Sequence, residues 1–369
     1  MLTPSYTIPI LPPPVVLETV PVLKALNAAS RALADLKGQA RTIPNQGILV
    51  DTLALQEAKA SSEIENIVTT QDELFQADLF PDDPQSPAAK EVSLYRDALR
   101  LGYARLRDTG GLIPNSALID MFRLLKGRED GFRTTNGTAL RHDRSGELVY
   151  VPPQDAREIV NQMSALERFI NDDELSDLDP LVKMALIHHQ FESIHPFPDG
   201  NGRIGRILNV LYLTRTGLLD IPILYLSRHI TRNKADYYRL LQAVRDTNGS
   251  HDAWQDWLLY MLKGVADTSV TTLRLVEGIR EQMATVKHRM RAELPKLYSQ
   301  ELLNNLFRHP YTRIEYVQND LGLKARQTAA KYLDTLADHG FVTKHRAGKH
   351  NYYINPALVR LFLDVSEER

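Results

Sequence analysis

His195-Pro196-Phe197-Pro198-Asp199-Gly200-Asn201-Gly202-Arg203-Ile204-Gly205-Arg206 is the stretch on which the reading of the chain turns. Just upstream, residues 181–194 read as an apolar helix, with Asp179 placed to cap it and Pro180 in its first turn. Pro196 and Pro198 must end that helix, because proline lacks the N–H that a helix interior needs and pushes the preceding residue toward an extended conformation. A second helix then begins. Ile204, Ile207, Leu208 and Leu211 recur at the i, i+3, i+4, i+7 spacing of one buried face, and Gly217 supplies a stop signal. The junction is therefore a glycine turn at the positive end of a helix, where the N–H groups of residues 200–202 face outward as an anion site. Arg203 and Arg206 lie one turn apart on the emerging helix. Asp199 offers hard oxygen to a divalent cation, and His195 can act as a base near neutral pH. A base, a cation ligand, an N–H cradle and two arginines are the parts of phosphoryl-type transfer.

This run resembles the signature of the Fic family, His-Pro-Phe-x-Asp/Glu-Gly-Asn-Gly-Arg-x-x-Arg, and matches it at every fixed position. The resemblance implies transfer of AMP from ATP to a Ser, Thr or Tyr hydroxyl of a target protein. It implies His195 as the catalytic base and Asp199 as the ligand of Mg²⁺. It further implies that Gly200, Asn201, Gly202, Arg203, Ile204, Gly205 and Arg206 line the ATP, with Arg206 on the γ-phosphate. Tyr237-Tyr238 stands where such proteins place an aromatic near the base, so Tyr238 joins the set, although a tyrosine pair on an amphipathic helix is more often packing. Where many relatives carry asparagine, seven residues further on, this chain has Arg245.

Working outward, residues 51–69 read as a helix on which Ser61 and Glu65 form an i, i+4 pair. Ser61-Ser62-Glu63-Ile64-Glu65-Asn66 resembles the Fic inhibition motif, Ser/Thr-x-x-x-Glu-Gly/Asn, in its N-terminal form. That likeness assigns Ser61, Glu65 and Asn66 to a brake in which Glu65 pairs with Arg206. A carboxylate about 4 Å from a guanidinium gains at most ~4 kcal/mol at an effective dielectric of about 20, before desolvation, and it takes the place of a terminal phosphate.

The 369 residues exceed what one core usually serves, so several domains are expected. With 44 basic and 46 acidic residues, no global field favours nucleic acid or a membrane surface. Cysteine is absent, which excludes disulfides and thiolate chemistry and fits a reducing compartment. The opening MLTPSYTIPILPPP lacks a basic n-region, and no apolar run reaches the roughly 18 residues of a spanning helix. A cytoplasmic protein without a membrane partner is expected.

Helical patterns cover residues 22–36, 89–107, 115–125, 155–171, 233–246 and 253–263, the last holding Trp254 and Trp257 as core. The proline- and aspartate-rich segment 80–89 marks a boundary. Thr134-Thr135 and Leu148-Val149-Tyr150-Val151 flank Asp143-Arg144-Ser145-Gly146 and read as a hairpin. By resemblance this is the Fic flap, so Leu148, Val149, Tyr150 and Val151 are expected to dock the target by strand addition. A metal site from His188 or His189, Glu192 and His195 is rejected, because His195 falls at the proline break and zinc would leave the Gly-Asn-Gly-Arg turn unexplained.

Residues 266–294 read as a connector helix. Beyond it, helices at 299–307, 313–321 and 325–337 precede strands at 341–344 and 351–354 around Ala347-Gly348, an order that resembles a winged helix-turn-helix. Lys324, Arg326, Lys331, Lys344, Arg346 and Lys349 outnumber Asp334 and Asp338 there, a basic patch suited to phosphate. The expected architecture is mainly α: a Fic helical bundle with a β-hairpin flap, plus a small winged-helix domain. Its division is 1–88 for the N-terminal region with the inhibitory helix, 89–265 for the catalytic core, 266–297 for the connector and 298–369 for the winged helix. A DNA or a protein partner for the last domain, and a homodimer, stay open. So do two rival functions: a DNA-binding transcriptional regulator with a nucleotide-sensing Fic domain, and removal of AMP by the same site.

Overall fold

The computed structural model describes residues 5–80, 86–142, 145–347 and 350–367. Helices α1 (Val20–Ala40), α2 (Gly47–Ile64), α3 (Gln71–Leu79), α4 (Pro87–Asp108) and α5 (Asn115–Lys126) lead to a hairpin of β1 (Leu140–Arg141) and β2 (Leu148–Tyr150). Helices α6 (Ala156–Asn171), α7 (Pro180–Ile194), α8 (Asn201–Arg215), α9 (Ser227–Arg232), α10 (Lys234–Asp246) and α11 (His251–Glu293) follow. The chain continues through α12 (Gln300–Arg308), β3 (Tyr311–Thr312), α13 (Ile314–Asp320), α14 (Arg326–Asp338), β4 (Thr343–Ala347), β5 (His350–Ile354) and α15 (Pro356–Glu367).

The described chain divides into two compact units. The first holds the chain up to Ala34, Glu57–Val68 and Leu94–Ser269. Its centre is α7. The Asp179 carboxylate accepts from the Leu181 N–H at 2.8 Å, Pro180 fills the first turn, and every residue from Leu181 to Ile194 is buried. The apolar residues of α7 are not confined to one stripe, so the helix has no solvent face to present and sits inside, taking Lys183, His188, His189, Gln190, Glu192 and Ser193 with it. Helices α6 and α8 pack on it, and α5 packs on both of these. The contacts on α5 and α6 come from Leu118, Met121, Phe122 and Leu125 and from Ile159, Met163, Leu166 and Phe169, stripes at helical spacing. Each such side chain contributes about 1.5–3 kcal/mol when fully buried.

The second unit holds Asp35–Gln56, Thr69–Ser93 and the chain from Val270 on. Its sheet runs in the order β3-β5-β4, antiparallel throughout. Leu302, Leu303, Leu306 and Phe307 of α12 and Ala329, Leu333 and Leu336 of α14 are buried. The Phe75 ring of α3 lies 4.8 Å from that of Tyr311.

Several expectations are corrected. The first hairpin strand is Leu140–Arg141 rather than the segment at Thr134-Thr135, and Val151 lies beyond β2. Helix α2 ends at Ile64, short of the expected residue 69, because Asn66 takes a left-handed φ of 61°. The segments read as separate helices at 253–263 and 266–294 are one, α11. Gly264 lies between the two segments, and a Cβ there would lie 2.9 Å from His229 Cδ2, so the glycine serves close approach within a continuous helix. Helices α3, α9 and α15 and strand β3 were not anticipated. The first had a signal: Thr70 and Glu73 form a reciprocal capping box.

Two members of the expected basic patch are engaged. Lys344 Nζ lies 2.7 Å from Asp334 Oδ1, and Arg326 Nη2 lies 2.8 Å from Glu315 Oε1. Asp143, Arg144, Gly348, Lys349 and positions 81–85 of the boundary segment fall outside the described residues. Among those described, no helix is long and apolar enough to cross a membrane.

Candidate active site

The turn between α7 and α8 is fixed by its own sequence. His195 caps α7 in the left-handed region, φ 50° and ψ 58°, with its N–H bonded to Phe191 O at 2.9 Å. Phe197 is buried and its ring stacks on Phe122 at 4.4 Å. The Asn201 side chain bridges the turn, Oδ1 accepting from Phe197 N–H and Nδ2 donating to Phe197 O, both at 2.8 Å. Asn201 thus holds the turn with its side chain and offers a ligand only backbone.

Gly200 caps α8 with φ 79° and supplies no side chain to the helix end, which leaves the positive end of the helix open. Its own N–H, however, donates to Asp199 Oδ1 at 2.6 Å, so the expectation of three free N–H groups at 200–202 is reduced by one. Two further members of the expected ATP set turn inward. Ile204 is fully buried, and Gly205 faces α7, where a Cβ would lie 3.0 Å from Glu192 Oε1. Neither presents a side chain to a ligand. Arg203 is buried beside the turn, 2 % exposed.

Arg206 is held from one side by α2. Its Nε donates to Ser61 Oγ at 2.8 Å and its Nη2 to Ser61 O at 3.0 Å and to Glu65 Oε1 at 2.9 Å. Gly202 makes room for this meeting: a Cβ would lie 2.6 Å from Glu65 Oε1 and 2.8 Å from Arg206 Nη1. The left-handed Asn66 ends the helix, and its Oδ1 accepts from Lys234 Nζ at 3.1 Å. All three residues of the expected brake are therefore together, with Ser61 and Glu65 on the guanidinium and Asn66 shaping the turn behind them.

Burial first, then the charges of Arg245 and Arg133, push the His195 imidazole down to about 3, so it is a neutral base at ordinary pH. Its Nδ1 is buried, which leaves Nε2 to face a substrate. Burial would raise the Asp199 carboxyl, but the Lys126 ammonium, 2.6 Å away, outweighs this and holds it below the usual range. An ionised, exposed carboxylate fits Mg²⁺, which binds through one or two carboxylates and completes its shell with phosphates and water. No group of three or more metal-binding side chains exists among the described residues. His188 instead pairs its Nε2 with Tyr237 OH at 2.9 Å, and His189 pairs its Nε2 with Leu241 O at 3.2 Å.

Of the four hairpin residues expected to meet a target, Leu148 and Val149 expose their side chains, at 45 % and 41 %. Tyr150 is buried, its OH donating to Ser193 O at 2.7 Å. Val151 is buried as well, and its backbone is already paired: its N–H donates to Ser5 Oγ and its carbonyl accepts from Ser5 N–H, both at 3.1 Å. The Val151 backbone is thus engaged by Ser5, and Tyr150 offers a target chain backbone but no side chain. Tyr238 is 44 % exposed, with its ring 5.1 Å from that of the buried Tyr237.

Sequence reasoning missed the buried charges around this turn. Glu57 of α2 accepts from Tyr95 OH at 3.0 Å and from Ser227 Oγ. Burial pushes Glu57 up to about 7, against the pull of Ser227, Arg206 and Tyr95. Burial also raises Glu192 to about 7. Arg133 and Arg245 are 3 % and 5 % exposed. A lone charged residue in a helical or loop pattern reads as solvated, so no local signal marks these four.

Residues 23–104 match the Fic/DOC family N-terminal domain, 115–213 the Fic/DOC family domain, and 282–358 the C-terminal domain of SoFic-like protein adenylyltransferases. A probable protein adenylyltransferase of Aquifex aeolicus is 29 % identical over 203 residues, 53 % of this chain and 57 % of that protein. The protein adenylyltransferase Fic of Nematostella vectensis is 35 % identical over 92 residues, 25 % of this chain and 20 % of its own length. The chain thus spans about half or less of these curated relatives. A crystal structure of a Fic family protein from Desulfovibrio desulfuricans shares the fold at a TM-score of 0.55 and 20 % identity, covering 96 % of this chain and 99 % of that one. Fic-1 of Caenorhabditis elegans gives 0.54 and 22 %, covering 71 % and 74 %. Three domains thus match in order, and the chain carries a Fic/DOC N-terminal domain, a Fic/DOC domain with the turn described above, and a SoFic-like C-terminal domain.

Proposed function

We propose that this protein transfers AMP from ATP to a Ser, Thr or Tyr hydroxyl of a target protein and is held off by Glu65. The observation that carries the reading is the turn itself: a neutral histidine at the end of α7, six residues before the start of α8, with Arg206 reaching α2. The hydroxyl oxygen attacks the α-phosphorus, the bond from that phosphorus to the β-phosphate bridging oxygen breaks, and pyrophosphate leaves. His195 Nε2 takes the hydroxyl proton, worth typically ~10²–10⁴-fold in rate. The α8 N–H groups and Arg203 bind phosphate oxygens, and Arg206 fixes the γ-phosphate once Glu65 withdraws. Mg²⁺ held by Asp199 would neutralise charge on the α and β phosphates. Leu148 and Val149, with the free part of the β2 edge, align the target chain, and exposed Tyr238 lies beside the adenine.

Incubation of Glu65→Gly protein with α-labelled ATP and Mg²⁺ is expected to label itself or a lysate protein, and His195→Ala in that background to bind ATP without labelling. No label from the first, or retained label in the second, overturns the reading.

A second reading, removal of AMP by the same site, draws on the 35 % exposure of the Glu65 side chain, which is open to a water beside Arg206. Wild type releasing AMP from a labelled protein, with Glu65→Gly inactive, would favour it. The C-terminal module we read as a winged helix-turn-helix from the order α12, α13, α14, β4, β5. The ion pairs of Lys344 and Arg326 weaken its appeal to phosphate and favour a protein partner. DNA binding that falls steeply with salt would reverse that preference.

A further inference from the structure

We propose that Arg133 and Arg245 are positioning residues that clamp the His195 turn to the root of the β1–β2 hairpin. The inference rests on the role given above to His195. Arg133, in the segment between α5 and β1, meets the end of α7 and its turn three times and the chain just past the hairpin once. Its backbone N–H donates to Pro196 O and its Nε to His195 O, both at 2.8 Å. Its Nη2 reaches Ile194 O at 3.4 Å and also Pro153 O, just past the hairpin. One side chain thereby ties the carbonyl of a residue in a sparsely populated left-handed conformation to the strand that leads out of β2.

Arg245 acts on the other side of the same joint. Its guanidinium lies 3.9 Å over the Tyr150 ring and its Nε donates to Ser193 Oγ at 3.1 Å, while Tyr150 OH donates to Ser193 O at 2.7 Å. Neither arginine forms an ion pair with a carboxylate among the described residues, and Arg133 Nη1 and Arg245 Nη2 are buried without a hydrogen-bond partner there. A buried guanidinium without a counter-charge is costly, and packing alone would be served better by an apolar side chain. What the cost supplies is positive charge next to a histidine that must stay neutral to accept a proton.

The other charged groups facing His195 do not reverse this. Asp199, in its own turn, is shared with Lys126, and Glu192 of α7 is raised to about 7 and so is uncharged in the acid range that matters. The clamp thus joins geometry and protonation: the hairpin that aligns a target and the base that activates its hydroxyl move as one body, and the base stays ready at acid pH.

The test uses the full chain, labelled with ¹⁵N-histidine, with His195→Gln to assign the signal. In wild type the His195 imidazole is expected to stay neutral well below pH 5. In Arg245→Met and in Arg133→Met its midpoint is expected to climb by about one unit or more. An unchanged midpoint in both overturns the electrostatic half. Should the methionine variants fail to fold, Arg133→Lys and Arg245→Lys in the Glu65→Gly background retain charge but lose the fork. Their turnover is expected to fall about tenfold or more with the KM for ATP within about twofold. Unchanged turnover overturns the positional half. Because the titration needs no AMP transfer, a shifted midpoint in a protein that labels nothing would leave the clamp standing and sink the proposed activity instead.

Discussion

Replacing Glu65 by glycine isolates the contact on which the proposed brake depends. At about 4 Å between charge centres and an effective dielectric of about 20, the pair with Arg206 gains roughly 4 kcal/mol before desolvation. The two sides are unequal: the Arg206 side chain is 2 % exposed, that of Glu65 35 %. Water screens the carboxylate, and the net worth falls to about 1–2 kcal/mol. Any γ-phosphate bound to Arg206 must first displace that carboxylate, so its removal should strengthen productive ATP binding by about 5–30-fold.

The assay is labelling rate against ATP concentration for wild type, Glu65→Gln and Glu65→Gly, paired with calorimetric ATP binding. Glu65→Gln removes the charge but keeps the volume, so it should fall between the other two. Equal rates and equal ATP affinities for all three would refute the reasoning, since a carboxylate competing with phosphate cannot be lost without consequence. A large gain in Glu65→Gly with none in Glu65→Gln would move the cause from charge to volume.

Two further perturbations address neighbouring groups. Lys126 Nζ, 2.6 Å from Asp199 Oδ2, competes with a divalent cation for the same carboxylate; Lys126→Met in the Glu65→Gly background should lower the Mg²⁺ concentration for half activity a few-fold, and an unmoved midpoint would mean that the lysine swings aside freely. Glu57 is raised from 4.5 to about 7 in the folded chain, so the stability it contributes is full below pH 4.5 and lost as pH rises through 7, by at most about 3 kcal/mol. Thermal unfolding midpoints should therefore drop between pH 5 and 8 in wild type and drop less in Glu57→Gln; parallel curves would show that Glu57 is already ionised.

Legibility of the sequence followed the range of the interactions involved. Helix α7 was readable because Asp179, Pro180 and a mostly apolar stretch are neighbours in sequence, and α8 because its apolar face repeats. The signature and the Glu65 motif were readable because each carries its chemistry within a few residues. Hairpin strand β1 was misplaced, since two residues leave no alternation to detect. Helix α11 was read as two segments, 253–263 and 266–294; Gly264 between them makes room for the ring of His229, a residue remote in sequence. Arg133, Arg245, Glu57 and Glu192 escaped for the same cause: their burial is decided by elements far along the chain, and nothing beside them in sequence announces it.

Under the proposed brake, Ser61 and Glu65, which sequence groups into one inhibitory motif, would have opposite duties. Ser61 takes Arg206 Nε on its hydroxyl and Nη2 on its carbonyl, contacts along one edge of the guanidinium. Glu65 meets the side that Gly202 leaves open. In the proposed reading Ser61 aims Arg206 in either state, while Glu65, which shares Arg206 Nη2 with the Ser61 carbonyl, stands where the γ-phosphate would bind. Ser61→Ala removes one hydrogen bond to a charged donor, a loss of about 1.5–3 kcal/mol in orientation. In the Glu65→Gly background it should lower the labelling rate by about tenfold or more, the reverse of what Glu65→Gly does to wild type. If Ser61→Ala raises the rate instead, Ser61 is part of the lock, and the division between aiming and blocking fails.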